Sequence, residues 1–287
     1  VSDAPKRYLA WDTSSVVGAI CAFEVRDAGL GGSELKKTVS WSLSLETSRH
    51  SERLLWSIHS VLEAAGWSLR DLSGIAVGTG PGSFTGLRIG ITTARVLAST
   101  LHIPLIPLSS LALLARGAVT ALELLPRNEK VLLIACTDAA KGEWFTLVGD
   151  SRRVRDCVAM ADGDQVGIWG QGVVEAVMEP AALFEGIRSR LKKNPALKWM
   201  AVGQSVQRYA EEWSVLPKKS RLQVFLTDVH RIQEESLVRL AFEAVQQGLL
   251  REPGTLRPRY LRASEAEVNL KKGILKPSPV LHRAGTG

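Results

Sequence analysis

Cysteine, methionine and tyrosine each occur only three times in this 287-residue chain, and histidine five times. The cysteines, Cys21, Cys136 and Cys157, are far apart in sequence. That spacing excludes a disulfide framework and a Cys-x-x-Cys metal site, and it fits small core hydrophobes in a reducing cytoplasm. His50 and His59 stand nine residues apart, near opposite sides of one helix. His102, His230 and His282 are isolated in sequence, so no metal is expected on this chain. No apolar run reaches the roughly 18 residues that a membrane helix needs, and the opening Val1-Ser-Asp-Ala-Pro-Lys-Arg7 lacks the apolar core of a signal peptide. The expectation is a cytoplasmic protein with no membrane contact.

What is present is a loop of unusual composition. Gly78-Thr-Gly-Pro-Gly-Ser-Phe-Thr-Gly-Leu-Arg-Ile-Gly90 holds five glycines directly after the apolar run Ile75–Val77. A loop of this kind before a helix turns sharply and can aim several amides at one spot. That spot suits a phosphate, a partner, or the neighbouring chain. The loop lacks the Gly-Lys-Ser/Thr ending of a P-loop. It is not a nucleophile elbow either, because Pro81 and Thr85 flank Ser83 where that turn needs glycine.

Three strands are predicted first, over 7–11, 16–26 and 36–45. A helix follows, with Leu54, Leu55, Ile58, Val61, Leu62 and Ala65 at helical spacing, Ser48 or Ser51 as its cap and Gly66 at its end. Then come the strand 75–77, the glycine loop, a helix over 85–100, a short strand over 103–107 and a helix opened by Ser109. After Pro126 the pattern restarts: strands over 131–137 and 143–148, a helix over 181–191, strands over 199–202 and 222–226, and a helix over 236–249. Strands followed by alternating helix and strand, and then a shorter copy, indicate two α/β lobes. The division reads as a first lobe over 1–107, a smaller second lobe with a closing helix over 108–250, and a basic tail over 251–287. That tail carries eight basic residues against three acidic ones, and so five of the chain's net +7 charges. A basic tail suits either RNA phosphates or simple solvation.

Four segments resemble one family. Leu9-Ala-Trp-Asp12-Thr-Ser-Ser with Gly18-Ala19 resembles the first phosphate hairpin of the actin, hexokinase and heat-shock chaperone superfamily. The Gly78–Gly90 loop with Thr92-Thr-Ala-Arg-Val-Leu-Ala98 resembles the signature of TsaB (YeaZ-type) proteins, in the glycoprotease-like branch of that superfamily. Thr137-Asp-Ala-Ala-Lys-Gly-Glu143 resembles the family's second-lobe start, with Ala140 where the family has Arg, and Pro258-Arg-Tyr260-Leu-Arg262 resembles its C-terminal element. The resemblance implies a two-lobed actin-like (ribonuclease H-like) fold with a reduced second lobe. It also implies a non-catalytic partner in the synthesis of N6-threonylcarbamoyladenosine beside the tRNA anticodon. The implied partners are the catalytic paralogue TsaD, the ATPase TsaE, a second copy of the chain when alone, and tRNA indirectly through the tail. ATP and a metal are then expected in the partner subunits and none on this chain alone.

The family's catalytic paralogue carries a His-x-x-x-His metal pair. Aligned through Ile103-Pro-Leu-Ile106, its positions fall here on Ser110 and Leu114, so no catalytic residue is expected. Asp12, Thr13, Ser14, Gly80, Gly82, Ser83 and Asp138 are then vestigial nucleotide-binding candidates, with Asp12 also able to cap its own turn. The two helices around the loop are the expected docking surface, through Leu54, Leu55, Trp56, Ile58, Val61 and Leu62 on the first and Gly86, Ile89, Gly90, Thr93 and Ala94 on the second. Trp56, Ile89 and Val96 lie off the main stripes and suggest a second apolar face. Two enzyme readings stay open: a divergent ATP-dependent phosphotransferase and a glycoprotease-like metalloenzyme.

Overall fold

The computed structural model describes residues 4–29, 32–44, 50–122, 131–156, 173–221 and 230–261. Five strands build the first sheet: β1 (Lys6–Asp12), β2 (Val17–Gly29), β3 (Gly32–Ser44), β4 (Leu72–Gly78) and β5 (Leu105–Leu108), ordered β3-β2-β1-β4-β5. The first three form an antiparallel meander, while β1, β4 and β5 run parallel. Parallel neighbours need crossovers, and the two helices expected from the apolar period supply them: α1 (His50–Ala65) and α2 (Phe84–Leu101).

The second sheet repeats this plan in smaller form. Its strands β6 (Val131–Asp138), β7 (Trp144–Asp150), β8 (Val174–Met178) and β9 (Lys198–Val202) are ordered β8-β7-β6-β9, with only β6 and β9 parallel. Among the described residues the meander and one parallel strand return, and Arg221 makes a further parallel bridge to Trp199 on β9. This is the two-lobed actin-like α/β fold. The strand β8 is an addition to the sequence reading, and the strand expected over 222–226 lies outside the described residues.

Alternation along β1 sets the layers. Leu9 and Trp11 join the core under α1 and α2, while Tyr8 and Ala10 join the core on the opposite face. That opposite face is covered by α4 (Glu234–Gln246), which packs on β1, β2, β3 and β5. Sequence reading placed this helix as the cap of the second lobe, and the structure corrects that. Its buried stripe of Leu237, Leu240, Ala241 and Ala244 crosses back to the first sheet. Between α4 and the second sheet lies α3 (Ser110–Leu122), so one continuous core joins the lobes. The outer face of the second sheet is built on Trp144, Trp199, Trp213 and Phe184, with stacked and edge-on rings 5.1–6.0 Å apart.

A second correction concerns the C-terminus. Residues 251–261 are not a free tail: Arg251 exchanges both backbone hydrogen bonds with Leu105, and Leu256 is buried in the core beneath α1 and α2. The basic residues from Arg262 onward lie outside the described residues, as does Cys157. Cys21 and Cys136 are buried, and burial pushes both thiols up and away from the reactive thiolate. Among the described residues, no helix is long and apolar enough to cross a membrane.

Candidate functional site

The glycine loop joins β4 to α2, and Ser83 caps the helix by accepting a hydrogen bond from the Gly86 amide. Asp12 ends β1 directly beside it, fully buried. One carboxylate oxygen accepts from the Ser14 amide at 2.8 Å and the Ser14 hydroxyl at 2.6 Å. The other accepts from the Ser110 hydroxyl at 2.6 Å. The turn cap expected of Asp12 is therefore present, with Ser110 added by the start of α3. Burial pushes the Asp12 carboxyl up, and the bonds from Ser110 and Ser14 pull it partly back.

The hairpin after Asp12 lies directly on the glycine loop. The Ser83 amide donates to the Ser14 carbonyl at 2.7 Å, and the Thr13 hydroxyl donates to the Gly86 carbonyl at 2.8 Å. A Cβ at Gly82 would stand 2.4 Å from the Ser14 oxygen, one at Gly86 2.0 Å from the Thr13 oxygen, and one at Gly90 2.2 Å from the Thr13 hydroxyl. These glycines are needed because Thr13 and Ser14 fill the space that a side chain would take. The amides of Thr79 and Gly80 are also used, on the Leu108 carbonyl and the Ser110 hydroxyl. Asp12, Thr13, Ser14, Gly80, Gly82 and Ser83 thus do come together, around each other.

Asp138 is not part of this group. One of its oxygens caps the turn at Ala140, and the other accepts from Arg208 at 2.9 Å and Tyr209 at 3.0 Å within the second lobe. Among the described residues, one cavity between the lobes holds about 20 Å3 and is lined by Ser14, Pro81, Ser110, Leu114, Thr137 and His230 among others. That is room for about one water, against the several hundred Å3 of an ordinary ligand pocket. His230 accepts from the Gly203 amide, and burial lowers its affinity for a proton, helped by Arg221 and opposed by that amide. Among the described residues no group of three or more His, Cys, Asp or Glu side chains is placed to hold a metal ion.

Most of the expected docking residues belong to the chain's own core. Leu54, Ile58, Val61 and Leu62 bury against the first sheet, and Gly86, Gly90 and Ala94 lie against β1 and its hairpin. These seven residues are used up inside the lobe, because the apolar stripe of α1 and the row of small residues every four positions on α2 are what seat both helices on the sheet. The second apolar face stays in solvent. Leu55 is 54% exposed, Trp56 71% and Val96 59%, with Ile89 and Thr93 half-buried beside them. Ile89, Thr93 and Val96 follow each other at i, i+4 and i+7, one side of α2.

A buried polar contact that sequence reading missed lies at the opposite edge of the loop. Glu175 on β8 accepts from the Ser109 hydroxyl and pairs with Arg259. Burial pushes its carboxyl up, with Arg259 and Ser109 pulling it down. The available signal was an acid inside the apolar run Val173-Val-Glu-Ala-Val-Met178.

A family model described as "TsaD: tRNA N6-adenosine threonylcarbamoyltransferase" matches residues 44–270. The tRNA threonylcarbamoyladenosine biosynthesis protein TsaB of Escherichia coli is 30% identical over 229 residues, 80% of this chain and 87% of that one. The chain belongs to the TsaB (YeaZ) family. The family also reaches its paralogue, since the tRNA N6-adenosine threonylcarbamoyltransferase of Ligilactobacillus salivarius is 32% identical over 119 residues, 35% of each chain. A solved Pseudomonas aeruginosa protein described as similar to peptidase YEAZ superposes with a TM-score of 0.59 at 25% identity, covering 90% of this chain and all of that one.

The raised carboxyls of Asp12 and Glu175 carry a pH prediction. A buried acid with a raised folded value contributes stability that is fully present below its ordinary value, about 4 for aspartate, and lost as pH rises through the folded value. Asp12→Asn removes one such group. Denaturant midpoints measured from pH 4 to pH 8 should therefore fall with rising pH less steeply in the variant than in the parent chain.

Proposed function

We propose that this chain is the non-catalytic partner subunit in the synthesis of threonylcarbamoyladenosine in tRNA. It acts in the cytoplasm, binds a TsaD-type catalytic subunit, and with it recruits a TsaE-type ATPase. The observation that carries the reading is that Asp12 and its neighbours bond to one another. Asp12 is spent on Ser14 and Ser110, and Leu114 is buried in the core. The two positions expected for a metal pair hold a hydroxyl turned to Asp12 and an aliphatic side chain, so that pair is not there to serve a metal-assisted transfer. ATP and metal are accordingly assigned to the partner subunits, and tRNA is met through them.

The docking surface in this reading is the exposed side of α1 and α2: Leu55 and Trp56 on the first helix, Ile89, Thr93 and Val96 on the second. Large apolar side chains grouped on adjacent helices suit a partner presenting an apolar helical face. In the absence of that partner, the same face pairs two copies of the chain. Trp56→Asp tests this directly. Losing a central Trp anchor costs about 2 kcal/mol or more, so affinity for the TsaD-type subunit should fall roughly thirtyfold. Calorimetric titration measures that fall, while the melting temperature should stay close to the parent's, since Trp56 stands in solvent. Unchanged affinity in the folded variant removes the surface from the proposal.

A further inference from the structure

The segment 251–261 runs along the first lobe and reaches the second through the side chain of Arg259. It starts as an added strand contact on the edge of the first sheet, where Arg251 and Leu105 exchange hydrogen bonds of 2.7 and 2.9 Å. It then runs along α2: Arg95 donates to the Pro253 carbonyl at 3.1 Å, and Leu256 drops into the core beneath the helix. At the glycine loop the Arg259 amide donates to the Thr79 carbonyl at 2.8 Å. From the same residue the guanidinium reaches across to Glu175 on the second sheet. Tyr260 then closes on the first turn of α2, its ring 5.3 Å from that of Phe84 and its hydroxyl bonded to Arg88 at 3.3 Å. Arg88 in turn lies 3.8 Å over the Phe84 ring.

We propose that residues 251–261 are an intramolecular clasp that sets the angle between the lobes, and that Arg259–Glu175 is its catch. Two-lobed folds with an open cleft commonly close on a bound ligand. Here a contact between the lobes is supplied by the chain's own C-terminal segment. The catch is placed to work this way because its parts come from separate bodies. Glu175 belongs to β8, Ser109 opens α3, and Arg259 is fixed by its backbone to the glycine loop. The Glu175 side chain is wholly enclosed, so its charge has no water to turn to when Arg259 leaves. Releasing the clasp therefore loosens the glycine loop and the start of α3 together, the two walls that meet at Asp12 and Ser110. The side of α2 that carries Ile89, Thr93 and Val96 is left free by the clasp, which holds Phe84, Arg88 and Arg95 along the other edge.

The test is amide exchange followed by mass spectrometry on the full chain, comparing Arg259→Met, Glu175→Gln and the double variant with the parent. Exchange in segments 78–86 and 109–115 should speed up by about tenfold or more, the size expected for a lost charged hydrogen bond, while the centres of β1 and β6 stay protected. The double variant should behave like either single one, because both remove the same link. Unchanged exchange in those two segments would overturn the proposal, and so would equal acceleration throughout both sheets. Should Arg259→Met fail to fold, Tyr260→Ala probes the same clasp from its outer end, since that ring is 42% exposed. Faster exchange at 78–86 in Tyr260→Ala supports the clasp, and exchange identical to the parent rejects it.

Discussion

Gly86→Ala is expected to destabilise the chain by about 3 kcal/mol or more, although alanine is the better helix former by about 1 kcal/mol. The two effects oppose each other, and the contact decides the sign. An added Cβ would stand 2.0 Å from the Thr13 carbonyl oxygen, which is backbone and cannot rotate away. The hairpin would have to lift, breaking the Thr13–Gly86 and Ser83–Ser14 hydrogen bonds together. Gly254→Ala is the matched control, since nothing lies within 4 Å of its Cβ position, and a change within about 0.5 kcal/mol is expected there. Denaturant midpoints of the two variants measure the difference. A stabilised Gly86→Ala would mean that the hairpin does not rest on the loop.

Ile58→Arg should yield no folded chain. Ile58 is 4% exposed, within the core that also holds Leu54, Val61 and Leu62. Removing the buried side chain forfeits about 1.5–3 kcal/mol of burial. Placing an unpaired guanidinium there adds several kcal/mol more, and together these approach the roughly 5–15 kcal/mol that holds a whole domain. Circular dichroism and soluble yield read this outcome. The variant would also lose any partner, but only because it has lost its fold. A native spectrum would mean that this face of α1 can leave the sheet. Trp56→Asp, one turn-face away, separates docking from folding in the way that Ile58→Arg cannot.

The helical period of α1 was legible because burial on one side of a helix leaves a 3.6-residue mark in the sequence. The small residues Gly86, Gly90, Ala94 and Ala98 were legible for the same reason, as a row where something comes close. What the row could not say is what comes close. A stripe at a partner interface and a stripe on the chain's own sheet have the same spacing, since both bury one face of the helix. The structure resolves this through Thr13, whose backbone and hydroxyl occupy the space at Gly86 and Gly90. Leu55, Trp56 and Val96 are the exposed ones; Trp56 and Val96 stood out in sequence as apolar residues off the main period, whereas Leu55 lay on it.

The polar contacts divide in the same way. Asp12 and Ser14 are two residues apart, and an aspartate at a strand end closing its own turn is local chemistry that a sequence shows directly. Ser110 joins them from 98 residues away, and Glu175, Ser109 and Arg259 meet from three distant segments. Nothing local marks such partners, because each is chosen by where the lobes bring its element. The glycine loop shows both halves of this division. By itself the sequence determined that the backbone at Gly78–Gly90 must be approached closely, because only glycine allows it. Only the tertiary structure decided that the approaching group is the chain's own Thr13–Ser14 backbone, because filling that space depends on how β1 and β4 lie side by side in one sheet.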